Sequence, residues 1–312
     1  MSWRSNDLAL RVLAPLAALV YPGIIWCGPR ISPLFLAAAL LVPVLGWVAA
    51  DRLAARGSFP RARLAAHLAV ASPPLYSLLG GWLDFRPGVP VGSAGLWAPI
   101  WLGLLVMVLI EKPSPATAPR ERRRLATAHG ISAAVITLFA AAHLVNHLAG
   151  LLGGDTHRAV MLVLRIVYRD PWVEPLLLFA VAFQAATGIW LLRRALARAS
   201  SRLETLQTVS GAYLLLFLAS HVSAALRTRA RGGDTDWAWL AGGELLSDPW
   251  MARLAPYYFL AVIAFGIHGA VGLGRVLARH GLHPAQVRAL VALLAVLATA
   301  ASAAIMVGLL LA

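Results

Sequence analysis

Two apolar segments of the sequence, residues 125–147 and 203–225, each contain a histidine far inside a predicted membrane helix. His143 belongs to the first segment and His221 to the second, and each follows a serine by eleven residues. An ionisable side chain inside a membrane helix is costly and usually serves a function. Two such histidines in segments of one design therefore predict a ligand that both of them bind.

The two histidines also lie at one depth. His143 follows His129 by 14 residues, and His221 follows Gln207 by 14 residues, so each lies about 21 Å along its helix. The two helices run in the same direction because a single span separates them. Two neutral imidazoles converging at one level are what the iron of a bis-histidine b-type haem requires. Small residues beside them would let the macrocycle approach the backbone, namely Ala140, Ala141, Ala142, Ala219, Ser220 and Gly211.

The composition is that of a polytopic membrane protein. Of the 312 residues, 60% are apolar and 13% are charged, whereas a soluble chain is about half apolar and a quarter charged. The net charge of +14 comes from arginines in short loops between apolar runs, which indicates membrane orientation rather than nucleic-acid binding. The single cysteine excludes a structural disulfide, a cysteine-ligated cluster and covalent haem attachment. A haem would therefore be held by histidine alone.

Apolar runs of about 20 residues, the length that crosses a bilayer, occur at nine places. They predict an all-α, polytopic membrane helix bundle. The nine predicted spans are Leu8–Trp26, Pro33–Ala50, Leu64–Trp82, Ala94–Ile110, Ile131–Leu152, Pro175–Leu192, Thr208–Leu226, Leu254–Leu277 and Val287–Leu311.

The distribution of arginine predicts the orientation in the membrane. Four arginine-rich loops, within 51–63, 111–124, 193–202 and 275–288, fall on one side if the N-terminus is cytoplasmic. Three further arginines within 227–231 lie on the opposite side and oppose this assignment. We predict a multi-pass protein of the inner (cytoplasmic) membrane, with the N-terminus inside and the C-terminus outside.

A change in composition divides the chain. Residues 113–124 form a proline-rich and then basic linker between a four-span N-terminal region, 1–112, and a five-span region, 125–312. The N-terminal region has few polar groups within its spans. Its His67 is expected to be a hydrogen-bonded packing residue near the end of the third span.

A second level in the five-span region contains His268. It lies about 27 Å from the start of its span at Trp250, and glycines 266, 269 and 272 flank it. The position equivalent to His268 in the sixth span is Gln184, with Gly188 matching Gly272. Glutamine is a poor iron ligand, so His268 is either a ligand without a histidine partner or a helix-packing residue.

Four motifs in register give the five-span region a family resemblance. They are Arg123–Leu125 leading to His143-Leu-Val-Asn, Glu174 leading to Gln184 and Gly188, Leu206–Gly211 leading to His221, and Leu246–Met251 leading to His268 and Gly272. Over roughly residues 120–312 the chain resembles the single-chain, five-helix cytochrome b membrane anchor of succinate dehydrogenase and fumarate reductase.

The resemblance implies two haems stacked across the membrane, each held by histidines from two helices. The outer haem would use His143 and His221, and the inner haem would use the positions of Gln184 and His268. Because this chain has glutamine at position 184, the resemblance leaves one haem, or a second haem with an open axial position. The flavoprotein and iron–sulfur subunits of the family are candidate partners, although four additional N-terminal spans distinguish this chain.

Other polar residues have two interpretations each. His129, Ser132, Gln207 and Ser210 gather near the cytoplasmic ends of their spans, where the family binds quinone, or they cap and join helices. His147 is an alternative ligand or a donor beside His143, and His157 is expected at the interface. The arginines of the outer segment suit haem propionates or lipid headgroups; they are Arg158, Arg165 and Arg169.

The leading functional prediction is an integral membrane b-type cytochrome that transfers electrons between a quinone and a partner through one bis-histidine haem. The alternative is a non-redox membrane scaffold or adaptor that retains the fold. A transporter would show broken helices in two related halves, and the sequence repeats only within spans five to eight. Whether the protein is an enzyme is left open.

Overall fold

The computed structural model describes residues 3–27, 33–56, 59–83, 93–114, 123–241 and 249–311, and these residues form an all-α structure without strands. The helices are α1 (Trp3–Leu19), α2 (Tyr21–Cys27), α3 (Pro33–Ala54), α4 (Pro60–Val70), α5 (Ser72–Leu83), α6 (Ser93–Leu109), α7 (Arg123–Ala149), α8 (Gly154–Tyr168), α9 (Val173–Leu196), α10 (Arg202–Ala230), α11 (Trp237–Ala241), α12 (Pro249–Ala252), α13 (Leu254–Arg279) and α14 (Pro284–Leu311). A short 3₁₀ turn, Gly150–Leu152, joins α7 to α8.

Within the described residues, seven helical segments are long and apolar enough to cross a membrane, so the chain is a multi-pass membrane protein by length and composition. They are Asp7–Cys27, Leu34–Ala54, Arg124–Leu152, Val173–Leu196, Arg202–Ala230, Trp250–Arg279 and Pro284–Leu310. The other two predicted spans differ from this group: the fourth corresponds to the shorter helix α6, and the third is divided into α4 and α5.

The division of the third predicted span has a local cause. Ala71 is a turn between the two helices, and Pro73 and Pro74 follow it. Proline has no backbone N–H to donate to the preceding turn, and it disfavours helical geometry in the residue before it. The chain nevertheless continues in one direction, since Ala71 N donates to His67 O (3.2 Å) and Leu75 N donates to Ala71 O (3.0 Å).

Helix α10 is the centre of the bundle. It packs against α9 and α13 of the C-terminal region and against α3, α4 and α5 of the N-terminal region. Helix α7 packs mainly against α9 and α8, and α13 packs along most of α14. Helices α7 and α10 both carry predicted ligands, but they are not among the closely packed helix pairs.

The N-terminal and C-terminal regions share a hydrophobic core. One cluster of buried residues includes Tyr21, Tyr76 and Trp97 from the first region and Val209 and Ala252 from the second. Residues 115–122 of the predicted linker lie outside the described residues. The predicted boundary therefore separates two stretches of sequence, while their side chains pack together.

Arg63 of α4 ties the two regions at their polar end. Its side chain is fully buried, and its guanidinium donates to the carbonyl oxygens of Leu196 (2.9 Å) and Arg198 and to Ser200 Oγ (3.2 Å). The last carbonyls of a helix have no partner within that helix. Arg63 thus satisfies the end of α9 from a helix more than 130 positions earlier.

His67 is the packing residue that the sequence predicts. It is fully buried, its Nδ1 lies 2.7 Å from Arg63 O, and its Nε2 lies 2.9 Å from Thr208 Oγ1 on α10. Both ring nitrogens therefore have partners, as a buried imidazole requires.

Candidate functional site

His143 and His221 face each other across the space between α7 and α10. Their ring centres are 6.1 Å apart, and the ring planes are inclined at 63°. The two histidines that the sequence places at one depth are thus neighbours in the structure. A transition metal bound at about 2.0 Å to one nitrogen of each imidazole puts the ring centres roughly 6 Å apart. The spacing therefore fits a metal held between them.

Each histidine stacks on a phenylalanine one turn earlier in its own helix. Phe139 lies parallel to His143 (ring centres 5.7 Å apart, 14°), and Phe217 lies parallel to His221 (5.1 Å, 11°). Tyr258 of α13 meets the His221 ring at right angles, 6.1 Å away. The paired phenylalanines extend the resemblance between the two segments. They were not predicted from the sequence, although they occupy equivalent positions four residues before each histidine.

His147 and His157 continue the group of imidazoles towards α8. His147 Nε2 lies 3.1 Å from His143 Nε2, so His147 is the hydrogen-bonding neighbour that its position one turn later predicted. The ring of His157 lies 5.5 Å from that of His147 and 4.9 Å from that of Trp237. His157 is 2% exposed, because Trp237 of α11 covers it.

Asn146 fixes the protonation of His157. The two side chains meet at 3.0 Å, between Asn146 Nδ2 and His157 Nε2. An amide nitrogen only donates, so His157 Nε2 accepts and His157 Nδ1 carries the proton. That buried N–H has no hydrogen-bond partner within the described residues, and neither does Nδ1 of His147.

A second pair of imidazoles, His129 of α7 and His268 of α13, occupies the other level. Their ring centres are 6.5 Å apart, and the planes are inclined at 76°. The sequence prediction paired His268 with Gln184. Gln184 contacts His129 instead, with 3.3 Å between Gln184 Nε2 and His129 Nε2, and its Oε1 accepts from Ser132 Oγ at 2.6 Å. No hydrogen bond joins Gln184 to His268 in the part of the chain that the structure describes.

The quinone candidates Ser132, Gln207 and Ser210 surround this second pair. His268 Nδ1 lies 2.9 Å from the backbone oxygen of Gln207 and 3.4 Å from Ser210 Oγ. The side-chain Oε1 of Gln207 is buried and has no hydrogen-bond partner among the described residues. The structure thus brings together all four polar residues singled out in the sequence, His129 included.

The two glycines predicted to border a cofactor also lie at this level. A Cβ added at Gly211 would be 2.9 Å from His268 Cε1, and one added at Gly272 would be 3.5 Å from Gln207 Nε2. Gly188 has a similar position on the other side, since its Cβ would lie 3.7 Å from His129 Cε1. Gly211 therefore makes room for His268 at the second level, whereas the sequence placed it beside the outer histidines.

Two of the three arginines in and just after α8 are paired with carboxylates. Arg165 binds Asp234 (Nη2 to Oδ1, 2.6 Å), and Arg158 lies 3.4 Å from Asp236. The hydrogen bond from Arg165 lowers the pKa of Asp234 below its ordinary value. Arg169 Nε is buried without a hydrogen-bond partner among the described residues. Arg165 Nε is in the same position, so two of the three arginines keep a buried donor without a partner among the described residues.

A further ion pair joins α9 and α10 at the same end of the bundle. Glu174, at the start of α9, binds the guanidinium of Arg229 through both carboxylate oxygens. This interhelical ion pair holds the ends of the two helices together.

Three or more metal-binding side chains do not come together anywhere in the described residues. A site with three or four protein ligands is therefore not formed there, and the candidate sites are the two histidine pairs. Comparison with protein-family models, with characterised proteins and with solved structures found no match to this chain. The resemblance to the cytochrome b membrane anchors thus rests on the sequence motifs.

Proposed function

We propose that this protein is an integral membrane b-type cytochrome in which His143 and His221 hold a haem, and that it transfers electrons between a quinone and a redox partner. The observation that carries the proposal is the 6.1 Å juxtaposition of the two rings from α7 and α10. Two ionisable side chains that meet inside apolar helices are a functional site by default.

The surroundings of the pair fit a flat macrocycle. Helices α7 and α10 are not closely packed against each other, as is required of two helices that hold a macrocycle between them. Phe139 and Phe217 hold the two imidazole planes by stacking. A haem with two histidine ligands supplies a one-electron couple without an open coordination position. The role of the chain is then to fix both rings and to keep water from the iron.

Ligation has a cost at His143. If Nε2 is the ligating nitrogen, His143 gives up its 3.1 Å contact with His147 Nε2. A hydrogen bond of this kind contributes about 0.5–1.5 kcal/mol, which is small beside the affinity expected for two axial ligands.

The quinone in this proposal binds beside Ser132, Gln207 and Ser210. The buried Gln207 Oε1 lacks a donor among the described residues, and a quinol hydroxyl would supply one. Burying an acceptor without a donor costs about 1–3 kcal/mol, so a ligand that provides the donor gains that amount. The partner class implied by the resemblance is a soluble flavoprotein or iron–sulfur subunit.

The proposed topology has nine crossings in the cytoplasmic membrane, with the N-terminus inside and the C-terminus outside. The seven long segments supply seven of them. The divided pair α4 and α5, which continue in one direction, supplies the third crossing from the N-terminus. Helix α6 supplies the fourth, with 17 residues and hence a length of about 25 Å.

The alternative is a non-redox scaffold that retains the fold, and one observation favours it. His143 already has a hydrogen-bond partner in His147, and polar contacts of this type commonly join membrane helices. In a scaffold, the imidazoles would serve packing alone, and the protein would bind no haem.

A reduced-minus-oxidised spectrum of the protein, purified in detergent from haem-sufficient cells, decides between the two. We expect an α-band of a low-spin b-type haem. His143→Ala and His221→Ala should each abolish the component that this pair binds, whereas the exposed loop histidine in His280→Ala serves as a matched control and should change nothing. Absence of an α-band from the wild-type protein would refute the proposal, and so would a wild-type spectrum in His143→Ala and His221→Ala.

A further inference from the structure

We propose that Arg169 binds the phosphate group of an anionic membrane phospholipid, whose acyl chains lie against the exposed apolar faces of α8 and of the start of α9. Arginine suits this ligand, because its planar guanidinium donates two parallel hydrogen bonds to one phosphate group. A lipid site of this kind needs no haem, and it is therefore independent of the proposed function.

Three guanidinium groups gather where α8 ends and α9 begins, and within the described residues two carboxylates pair with them. Arg165 binds Asp234, and Arg229 of α10 binds Glu174 of α9. The third cation, Arg169, comes directly after α8 and forms no ion pair with a described residue. One positive charge is therefore left uncompensated in this group.

Arg169 lies close to both of the paired arginines. Its pKa is lowered first by burial and then by the positive charges of Arg165 and Arg229, while Tyr168 and Asp234 oppose the shift. Its Nε is buried without a hydrogen-bond partner among the described residues. A guanidinium in these surroundings is repelled by its neighbours and is short of acceptors. An anion that reaches its terminal nitrogens would relieve the repulsion and supply an acceptor.

The adjacent carboxylate, Asp170, has another role. Its Oδ1 accepts hydrogen bonds from the backbone nitrogens of Trp172 (2.9 Å) and Val173 (3.3 Å). A carboxylate that accepts from the first N–H groups of a helix stabilises the N-terminus of that helix. Asp170 is thus engaged with the start of α9, and it is not an ion-pair partner of Arg169.

The exposed side of α8 supplies an apolar surface next to this charge. Four large apolar side chains on that side are between 49% and 77% exposed, namely Leu162, Val163, Ile166 and Val167. At about 100° per residue, the arginines at positions 158, 165 and 169 form a stripe along one edge of this apolar side. A helix with basic residues beside a broad exposed apolar face is typical of helices that lie in the interface of a membrane.

The apolar surface continues onto a helix that is long and apolar enough to cross the membrane. Trp172, three residues after Arg169, is 81% exposed, and Leu176 and Phe179 of α9 are 67% and 68% exposed. Tryptophan is enriched in membrane proteins at the level of the lipid headgroups. The exposed Trp172 at the start of α9 therefore places Arg169 at the height of the lipid phosphates. The acyl chains of a bound lipid would lie along Leu176 and Phe179.

The charge balance favours an anionic lipid over a zwitterionic one. A headgroup with one net negative charge neutralises the one uncompensated guanidinium. A choline headgroup carries its own cation, which would lie beside three arginines. One arginine at a membrane surface favours anionic lipid about fivefold, and this is the preference expected at Arg169.

Quenching of Trp172 fluorescence by lipids with brominated acyl chains measures which lipid occupies the site. The full chain is reconstituted in bilayers of phosphatidylcholine and phosphatidylglycerol, in which one lipid or the other is brominated. The difference between the wild-type protein and Trp172→Phe isolates the signal of this residue from the other tryptophans. Relative to its mole fraction, phosphatidylglycerol should occupy the site about fivefold more often than phosphatidylcholine.

Three variants assign the preference to Arg169. Arg169→Gln removes the uncompensated charge and should reduce the preference to near unity, whereas Arg169→Lys keeps the charge and should retain a preference. Arg158→Gln is the matched control, because Arg158 belongs to the same helix, is exposed and is paired with Asp236. The control variant should bind phosphatidylglycerol as the wild-type protein does.

Equal occupancy by the two lipids in the wild-type protein overturns the proposal, whether or not any variant folds. A preference that persists in Arg169→Gln, or that Arg158→Gln loses equally, overturns it too, since the charge of the whole surface is then responsible. Absence of quenching by either lipid shows that protein covers this face instead.

Free phosphate is the other source of the same chemistry. If sodium phosphate abolishes the preference and sodium chloride of equal ionic strength does not, the ligand is inorganic phosphate and the assignment to lipid is wrong. Every one of these measurements reads lipid occupancy, so a protein without haem would refute the proposed function and leave the lipid site standing.

Discussion

Replacing Gly80 by alanine tests whether the N-terminal and C-terminal regions share one core. Gly80 lies on α5, and the indole of Trp250, from the other end of the chain, is seated against it. A Cβ at Gly80 would be 2.6 Å from Trp250 Cζ2 and 2.8 Å from Cζ3, with Cη2 closer still. Trp250 also packs edge-on against Tyr76, with ring centres 5.9 Å apart, so its ring has little freedom to retreat.

Replacement of the neighbouring Gly81 is the matched control for the loss of stability in Gly80→Ala. A Cβ at Gly81 would meet only the Nη2 atom of Arg227, 3.2 Å away, at the end of a flexible side chain. Both replacements gain the same helix propensity, about 0.8–1.0 kcal/mol in favour of alanine. Overpacking a filled site costs typically 1–3 kcal/mol. The free energy of unfolding of Gly80→Ala should therefore be about 1–3 kcal/mol below that of Gly81→Ala.

Unfolding by sodium dodecyl sulfate in mixed micelles, followed by circular dichroism, measures this difference. In the Gly80→Ala background, Trp250→Leu should recover part of the loss, because the smaller side chain removes the clash. The two replacements would then be non-additive, as expected for residues in contact. Equal stability of Gly80→Ala and Gly81→Ala would refute the shared core at this point, and so would simple additivity with Trp250→Leu.

Two further predictions concern a helix cap and a buried histidine. Ser201→Ala removes the capping box at the start of α10, in which Ser201 Oγ accepts from Glu204 N and Glu204 Oε2 accepts from Ser201 N. The free energy of unfolding should fall by about 1 kcal/mol. An unchanged unfolding midpoint would contradict the role of the cap. Burial lowers the pKa of His157, with Asp236 opposing the shift and Arg165 adding to it. The unfolded chain then takes up a proton below about pH 6.5 while the folded chain does not, so stability falls as the pH decreases. Thermal midpoints of His157→Gln should vary less with pH over this window, and equal pH dependence in both proteins would count against the assignment.

The outer histidine pair was predictable because its signals are local. Depth along a helix follows from counting residues, and two spans separated by one other span run in the same direction. These facts alone bring His143 and His221 to one level. The phenylalanines four residues before each of them were also visible in the sequence and would have strengthened the prediction.

The inner pair was not predictable from the repeat. Equivalence in sequence paired Gln184 with His268, but contact depends on the rotation of each helix about its axis and on which neighbour it faces. Tertiary packing of α7 brings His129 to His268 and places the amide of Gln184 against His129 Nε2. The orientation of these two rings and their hydrogen-bond partners are set only once the helices have packed.

The break between α4 and α5 had a local signal in Pro73 and Pro74, which the count of apolar residues overlooked. The burial of His157 had no local signal in the sequence, because the side chain that covers it, Trp237, lies 80 positions later in the chain. The hydrophobic core shared by the N-terminal and C-terminal regions likewise depends on contacts between residues far apart in the sequence. A boundary in composition marks a change in the sequence, and it carries no information about which apolar faces meet.

The buried guanidinium of Arg63 constrains the order in which the protein assembles in the membrane. Synthesis proceeds from the N-terminus, so Arg63 leaves the ribosome well before the carbonyl groups it will bind, the nearest of which is 133 positions later. An unpaired arginine is costly within hydrocarbon. Helix α4 must therefore keep this side chain in contact with water until α9 has been inserted and its end is exposed. The packing of the N-terminal region is thus completed only after α9 of the C-terminal region has been inserted. A nascent chain that stops before residue 196 leaves the Arg63 guanidinium without its carbonyl acceptors.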